Sequence, residues 1–192
     1  MNTARDVDLL YELGAMRFID RQWIQFYGPN VENLAEHTLR VAWISLIIGM
    51  HEQADTGKVL KLALIHDIGE SRTGDANWLN KAYLKRDESK AAKDMLAGTV
   101  MAGEGSALWL EMEALETLES KIVKDADGLD VDLEFREQQE HWKFARSMGS
   151  LRQRMFRHEL HTETARRLWQ EIQTSDPHKW YLDVYLPPNV TR

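Results

Sequence analysis

The chain has no cysteine among its 192 residues, which excludes disulfides and thiolate zinc sites and leaves imidazole and carboxylate to hold any metal. Long apolar runs are missing too. The longest, Val41 to Met50, is interrupted by Ser45 and Gly49 and is about half of what a membrane span needs. The segment around Arg5, Asp6 and Asp8 lacks the apolar stretch of a signal peptide, so a cytoplasmic protein with no membrane partner is expected. Basic charge is in short supply: the net charge is −7. That argues against nucleic acid as a partner but not against a small phosphorylated substrate, whose charge a metal and one or two arginines offset locally. Proline is confined to Pro29, Pro177, Pro187 and Pro188, so nothing from Asn30 to Asp176 interrupts a helix in this way.

Helical periodicity fills that proline-free span, and no run alternates as a strand would. The chain therefore predicts an all-α fold of about six to eight helices, and its length suits a single domain over residues 1–192. The first helix is expected from about Arg5 to Asp20. The second runs from Asn33 or Ala35 to about Glu52 and is apolar nearly all round, as a central buried helix is. The third spans about Thr56 to Ile68. A loop over Gly69 to Asn80 precedes a charged helix from Lys81 to about Val100, which Gly103-Glu-Gly105 ends. Ala107 to Thr117 and Ser120 to about Arg146 read as two more, and Gly149-Ser150 separates the latter from a helix ending near Thr174. The tail, Asp176 to Arg192, is expected to wrap the surface.

Chemistry concentrates in Leu62-Ala-Leu-Ile-His-Asp-Ile-Gly-Glu70. His66 and Asp67 put a nitrogen and an oxygen ligand side by side at the end of an apolar helix. Neighbours on a regular helix diverge by about 100°, so both reach one ion only where the chain bends, and Gly69 is consistent with that. His37 and Asp127 are further ligand candidates at wide spacing. Two His and two Asp suit one divalent transition ion (Mn, Co, Ni, Fe or Zn) and leave positions for a phosphate oxygen and water. Glu70 shares the helix face of the pair and is placed to move protons. Asp75 can accept from a sugar hydroxyl, and Arg21, near Trp23, is a candidate phosphate clamp. Arg72 and Lys124 are weaker candidates for the same phosphate. Trp78 either packs or stacks on a base. His158 and His161 read as a solvated face, and Lys81 to Lys93 as another.

Taken together, Glu36-His37-Thr-Leu-Arg-Val-Ala42, Leu64-Ile-His-Asp-Ile-Gly-Glu70 with Thr73-Gly-Asp75, Leu108-Trp-Leu-Glu-Met-Glu113, Ile122-Val-Lys-Asp-Ala-Asp-Gly-Leu129 and Ser175-Asp-Pro-His-Lys-Trp180 resemble the HD-domain metal-dependent phosphohydrolases. The similarity is greatest to their 5′-deoxynucleotidase branch and covers roughly residues 7 to 182. It implies an α-helical HD fold, one divalent metal on His37, His66, Asp67 and Asp127, a homodimer, and hydrolysis of a nucleotide phosphate ester. The family pattern favours Asp127 over Asp125. Glu70 matches the catalytic acid/base, Asp75 a further active-site carboxylate, and Arg21 and Trp23 the Arg-Trp pair that contacts substrate. Residues 68 to 126 contain no histidine, unlike the two-metal members, so the resemblance implies a mononuclear site. The substrate stays open between a deoxynucleoside 5′-monophosphate and a dNTP losing triphosphate. A non-catalytic nucleotide-sensing module is the rival from another class.

Overall fold

Asn33 starts the helix around which the others pack. Its side chain accepts from the backbone amides of Ala35 and Glu36 at 3.0 Å, and Glu36 returns a bond to the Asn33 amide, a reciprocal cap that fixes the first turn. The computed structural model describes residues 3–139, 141–155 and 159–185. In chain order they form α1 (Thr3–Ala15), α2 (Ile24–Tyr27), α3 (Leu34–His51), α4 (Thr56–Ile65), α5 (Glu70–Thr73), α6 (Trp78–Lys81), α7 (Glu88–Leu96), α8 (Ala102–Ala114), α9 (Leu118–Gln138), α10 (Lys143–Met155), α11 (Glu163–Thr174) and α12 (Lys179–Tyr185). No strand occurs among the described residues; one isolated bridge joins Asp20 to Asn33. The all-α class expected from the sequence is what is observed, in more pieces than six to eight because three of them are single turns.

The main core lies where α3 packs on α4 and α9. Val41, Ile44 and Ile48 meet Val59, Leu62 and Ile65 of α4 and Ile122, Ala126 and Leu129 of α9, all of them buried. A second cluster joins Trp23, Tyr27, Val131, Phe135 and Ala145, so the α2 segment is pinned to α9 and α10 by aromatic rings. The apolar run of α3 is not buried all round. Leu39, Trp43, Ile47 and Met50 form an exposed stripe along it.

Several expected boundaries move for identifiable reasons. α1 stops at Ala15, followed by a 3-10 turn over Met16–Phe18. α4 stops at Ile65, and a tight turn leads into α5. The expected helix from Lys81 is two helices with a non-helical stretch over 82–87, because Asp87 caps α7 by accepting from the Lys90 amide at 2.9 Å. Gly103 and Gly105 lie inside α8 and do not end a helix. A Cβ on Gly105 would stand 3.0 Å from Leu96 and 3.2 Å from Ile65 side-chain atoms, so that glycine lets α8 approach its neighbours closely. Gly149 likewise lies inside α10, and the break falls before it: α9 ends at Gln138 and α10 begins at Lys143. The end of the tail, with Pro187 and Pro188, lies outside the described residues, as does His158.

Gly69 also works by space rather than by conformation. Its φ of −60° and ψ of −29° suit any residue, but a Cβ there would stand 2.7 Å from the Glu88 carbonyl oxygen. The start of α7 thus presses on the turn that carries His66 and Asp67. Gly69→Ala is expected to cost about 1–3 kcal/mol by overpacking, read as a lower midpoint in chemical denaturation. An unchanged midpoint would mean that α7 yields freely.

Candidate metal centre and active site

Three helices deliver the site. His37 comes from the second turn of α3, Asp127 from α9, and His66 and Asp67 from the turn after α4. His37 Nε2 lies 3.4 Å from Asp67 Oδ2 and 3.5 Å from Asp127 Oδ1, and His66 Nε2 lies 3.2 Å from Asp67 Oδ2. The ligand atoms of His37, His66 and Asp127 all fall within 4.8 Å of one another. Both Nε2 atoms are buried and have no hydrogen-bond partner in the protein. Their other ring nitrogens are engaged: His37 Nδ1 with Asp130 Oδ2 at 2.6 Å and His66 Nδ1 with the Ala63 carbonyl at 2.8 Å. A carbonyl only accepts, so His66 Nδ1 carries the proton and Nε2 presents a lone pair. Two such nitrogens facing two carboxylates fit one divalent cation.

The charges around these groups agree. Burial and Arg21 disfavour a proton on His37, yet its bond to Asp130 and the Asp67 and Asp127 carboxylates beside it raise it to about 10. Burial would raise Asp127, but Lys124, with His37 and His66, holds it at about 2. Desolvation would also raise Asp67, which is partly buried, but it is held well below the ordinary carboxylate range, chiefly by His66. Positive charge is therefore strongly favoured at this point, and a cation entering it displaces the His37 proton.

Sequence reasoning missed the layer behind the ligands. Asp130 accepts from Arg40, whose guanidinium also reaches Glu32 at 3.0 Å, Glu134 at 3.1 Å and Glu137 at 2.8 Å. Glu32, His37 and Asp130 lie close enough to hold an ion themselves, but Asp130 is committed to His37 Nδ1 and Arg40. This layer instead orients the histidine. A signal existed: His37 and Arg40 stand three apart on α3, as do Asp127 and Asp130 on α9, and such spacing shares a helix face.

Glu70, at the start of α5, is 6% exposed. Its Oε2 is buried without a hydrogen bond, 3.9 Å from Arg21 Nη1. Burial first, then Asp67 and Asp75, push Glu70 up to about 8 against the opposing charge of Arg21. It thus holds a proton near neutrality. Arg21 is buried, with Nη1 3.0 Å from Asp75 Oδ2 and Nε 3.6 Å from Glu32 Oε1. Asp75 Oδ2 also accepts from the Gln22 amide at 3.0 Å. Asp75 Oδ2 is thus taken up by Arg21 and the Gln22 amide and does not stand open.

Trp23 is not an open platform either. It packs edge-on to Phe135 with ring centroids 5.1 Å apart and is 5% exposed. Trp78, by contrast, is 73% exposed on α6, close in sequence to Asp75. Arg72 points away, paired with Glu12 of α1 at 2.5 Å. Lys124 bonds Asp127 Oδ2 at 2.9 Å. Asp125 faces the other way: it accepts from the backbone amides of His161 and Thr162 and from the Thr162 hydroxyl, each at 2.8 Å, and so holds Thr162, the residue that caps α11. His161 is exposed, as expected of a solvated face, with Nδ1 2.9 Å from Asp125 Oδ1.

The pattern of the HD domain family matches residues 13–173. The chain belongs to the HD-domain family. Among similar proteins, 5′-deoxynucleotidase HDDC2 of Danio rerio is 29% identical over 135 residues, 67% of this chain and 66% of that protein. The chain spans just under two thirds of the length of the curated relatives it matches first. A conserved hypothetical protein from Pyrococcus furiosus superposes with a TM-score of 0.72 at 29% identity, over 88% of this chain and 99% of that one. The cyanophage S-2L HD phosphohydrolase DatZ, bound to dA and one catalytic Zn2+ ion, shares the fold with a TM-score of 0.56 at 20% identity, over 85% and 91%. Among the described residues, no helix of this HD domain is long and apolar enough to cross a membrane.

Proposed function

We propose that this HD domain is a metal-dependent phosphohydrolase that cleaves deoxynucleoside 5′-monophosphates to nucleoside and phosphate, with His37, His66, Asp67 and Asp127 as the ligands of one divalent transition ion. The observation that carries the reading is the pairing of two buried, unpartnered imidazole nitrogens with Asp67 and Asp127, beside a carboxyl that holds a proton near neutrality. The names of the curated relatives support the substrate class, and the deoxyadenosine and zinc of DatZ support a nucleotide and a transition ion. Such a cation supplies Lewis-acid polarisation of a phosphoryl oxygen and acidifies water.

The chain's own residues do the rest. Arg21, held by Asp75 and Glu32, offers its guanidinium to the phosphate as charge develops on it, and Lys124 adds a second positive group beside Asp127. Water attacks phosphorus, the bond to the 5′ oxygen breaks, and Glu70 gives its proton to that oxygen so that the nucleoside leaves as an alcohol. The same reading includes a homodimer, supported by the apolar stripe of α3, and a cytoplasmic location, supported by the lack of cysteine.

A product screen with dAMP and dATP, each with manganese, cobalt, nickel and magnesium, tests the proposal. Inorganic phosphate from dAMP is expected. Tripolyphosphate from dATP would move the reading to a triphosphohydrolase, and nucleotide binding without hydrolysis under every metal would make the domain a sensor.

A further inference from the structure

The sequence offers no sign that Arg86 belongs to the site, since it stands in a stretch read as a solvated face. The structure folds it inward. In the non-helical segment between α6 and α7, its side chain is 12% exposed, with Nη1 3.2 Å from Glu70 Oε1 and Nη2 2.6 Å from Glu88 Oε1. Nη1 also donates to the Gly74 carbonyl, at the point where α5 ends with φ of +73°. One guanidinium therefore ties together the carboxyl of Glu70, the end of α5 and the start of α7.

We propose that Arg86 is a positioning residue that sets the orientation of the Glu70 carboxyl, holding Oε1 and leaving Oε2 turned toward Arg21. The inference rests on the phosphohydrolase reading above. A guanidinium donates and never accepts, so Oε1 of Glu70 is engaged as an acceptor from Arg86. Oε2 is left buried and without a hydrogen bond, 3.9 Å from Arg21 Nη1, where the proposed phosphate binds. Glu88 takes the other terminal nitrogen of the same guanidinium and holds Arg86 in place. Glu70 lies on a single-turn helix, and Arg86 also fixes the carbonyl that closes that turn, so both the backbone and the carboxyl are held by one side chain.

The test compares wild type, Arg86→Ala and Arg86→Lys by steady-state dAMP hydrolysis across pH, by calorimetric titration of manganese and by thermal denaturation. Arg86→Ala is expected to lower kcat by about 100-fold, the effect of a mispositioned catalytic group. KM should stay within a few-fold, manganese affinity should be unchanged, and the pH profile should change on its alkaline side. Added guanidinium ion should restore part of kcat to Arg86→Ala and none to wild type. Arg86→Lys should remain impaired, because one ammonium cannot span the three acceptors. Unchanged kcat in Arg86→Ala, or a loss that follows the fall in thermal stability and resists guanidinium, would overturn the role of Arg86 while leaving the reaction intact. A wild type that hydrolyses no nucleotide would overturn the phosphohydrolase reading instead.

Discussion

Asp67→Ala is expected to abolish cation binding and turnover together. Asp67 Oδ2 is within 3.4 Å of both unpartnered imidazole nitrogens, whereas Asp127 Oδ1 stands 3.5 Å from that of His37. Its removal takes a unit of negative charge from a centre where His37, His66 and Lys124 would otherwise face Asp127 alone. Losing an outer-shell partner typically costs 10–100-fold in metal affinity, so loss of a direct ligand should exceed about 100-fold. Metal content after dialysis, calorimetric titration of manganese and phosphate release from dAMP give three readings of the same event. Asp125→Ala is the matched control two residues earlier than Asp127 on α9. Asp125 accepts three hydrogen bonds from His161 and Thr162 at the start of α11, so that variant should lose about 1 kcal/mol or more of stability and keep its manganese. Retained metal and activity in Asp67→Ala would sink the ligand assignment.

The ligands were legible in the sequence because each stands inside a strongly helical context. His37 follows a cap and precedes an apolar run, and Asp127 follows Ile122 and Val123 at core spacing. Periodicity placed both on helices, and the resemblance to the HD-domain family chose Asp127 over Asp125 as a candidate ligand. What lies between elements was not legible. Gly69, Gly103 and Gly105 read as interruptions because glycine commonly marks one, yet Gly69 and Gly105 serve close approach between segments distant in sequence. That information belongs to the partner surface and has no local trace. Arg86 was invisible for the same reason: its partners Glu70 and Gly74 stand 16 and 12 residues away, across a change of direction that no periodicity reveals. Asp75 and Trp23 show the converse case. Residue type suggested contact with substrate, and burial assigned them to hold Arg21 and to fill an aromatic core.

The layer behind the metal centre explains why α3 and α9 are the longest elements. Arg40 is surrounded by Asp130, Glu32, Glu134 and Glu137. Burial would raise Asp130, but His37 and Arg40 hold it below the ordinary carboxylate range, so it puts negative charge immediately behind His37, which strengthens the imidazole as a donor to a cation. Glu32 stands between Arg40 and Arg21, so the residue proposed to meet phosphate and the residues that orient His37 share one buried carboxylate. Two long helices in register are needed to align these groups over successive turns.

Glu70→Gln is the second change with a large expected effect, and it separates proton transfer from metal binding. Glutamine keeps the shape and the acceptor for Arg86 but has no acidic proton, so kcat should fall by about 10²–10⁴-fold while manganese affinity holds. The pH dependence follows from the raised proton affinity of Glu70. Burial, Asp67 and Asp75 bring it to about 8 in the metal-free protein, so the donor is present below that pH and lost above it. A bound cation nearby favours the carboxylate and moves the alkaline limb of kcat below 8. The limb should be absent from the residual activity of Glu70→Gln. Stability carries the same sign. A carboxyl whose folded value exceeds its unfolded one stabilises the fold fully below the unfolded value and loses that contribution as pH rises through the folded one. Metal-free wild type should therefore lose stability between about pH 4.5 and 8, and Glu70→Gln should lose less over the same interval. A variant with wild-type kcat would remove Glu70 from the reaction. One with the kinetic loss but an unchanged stability profile would show that Glu70 ionises normally and acts as a base, reversing the direction in which the proton travels.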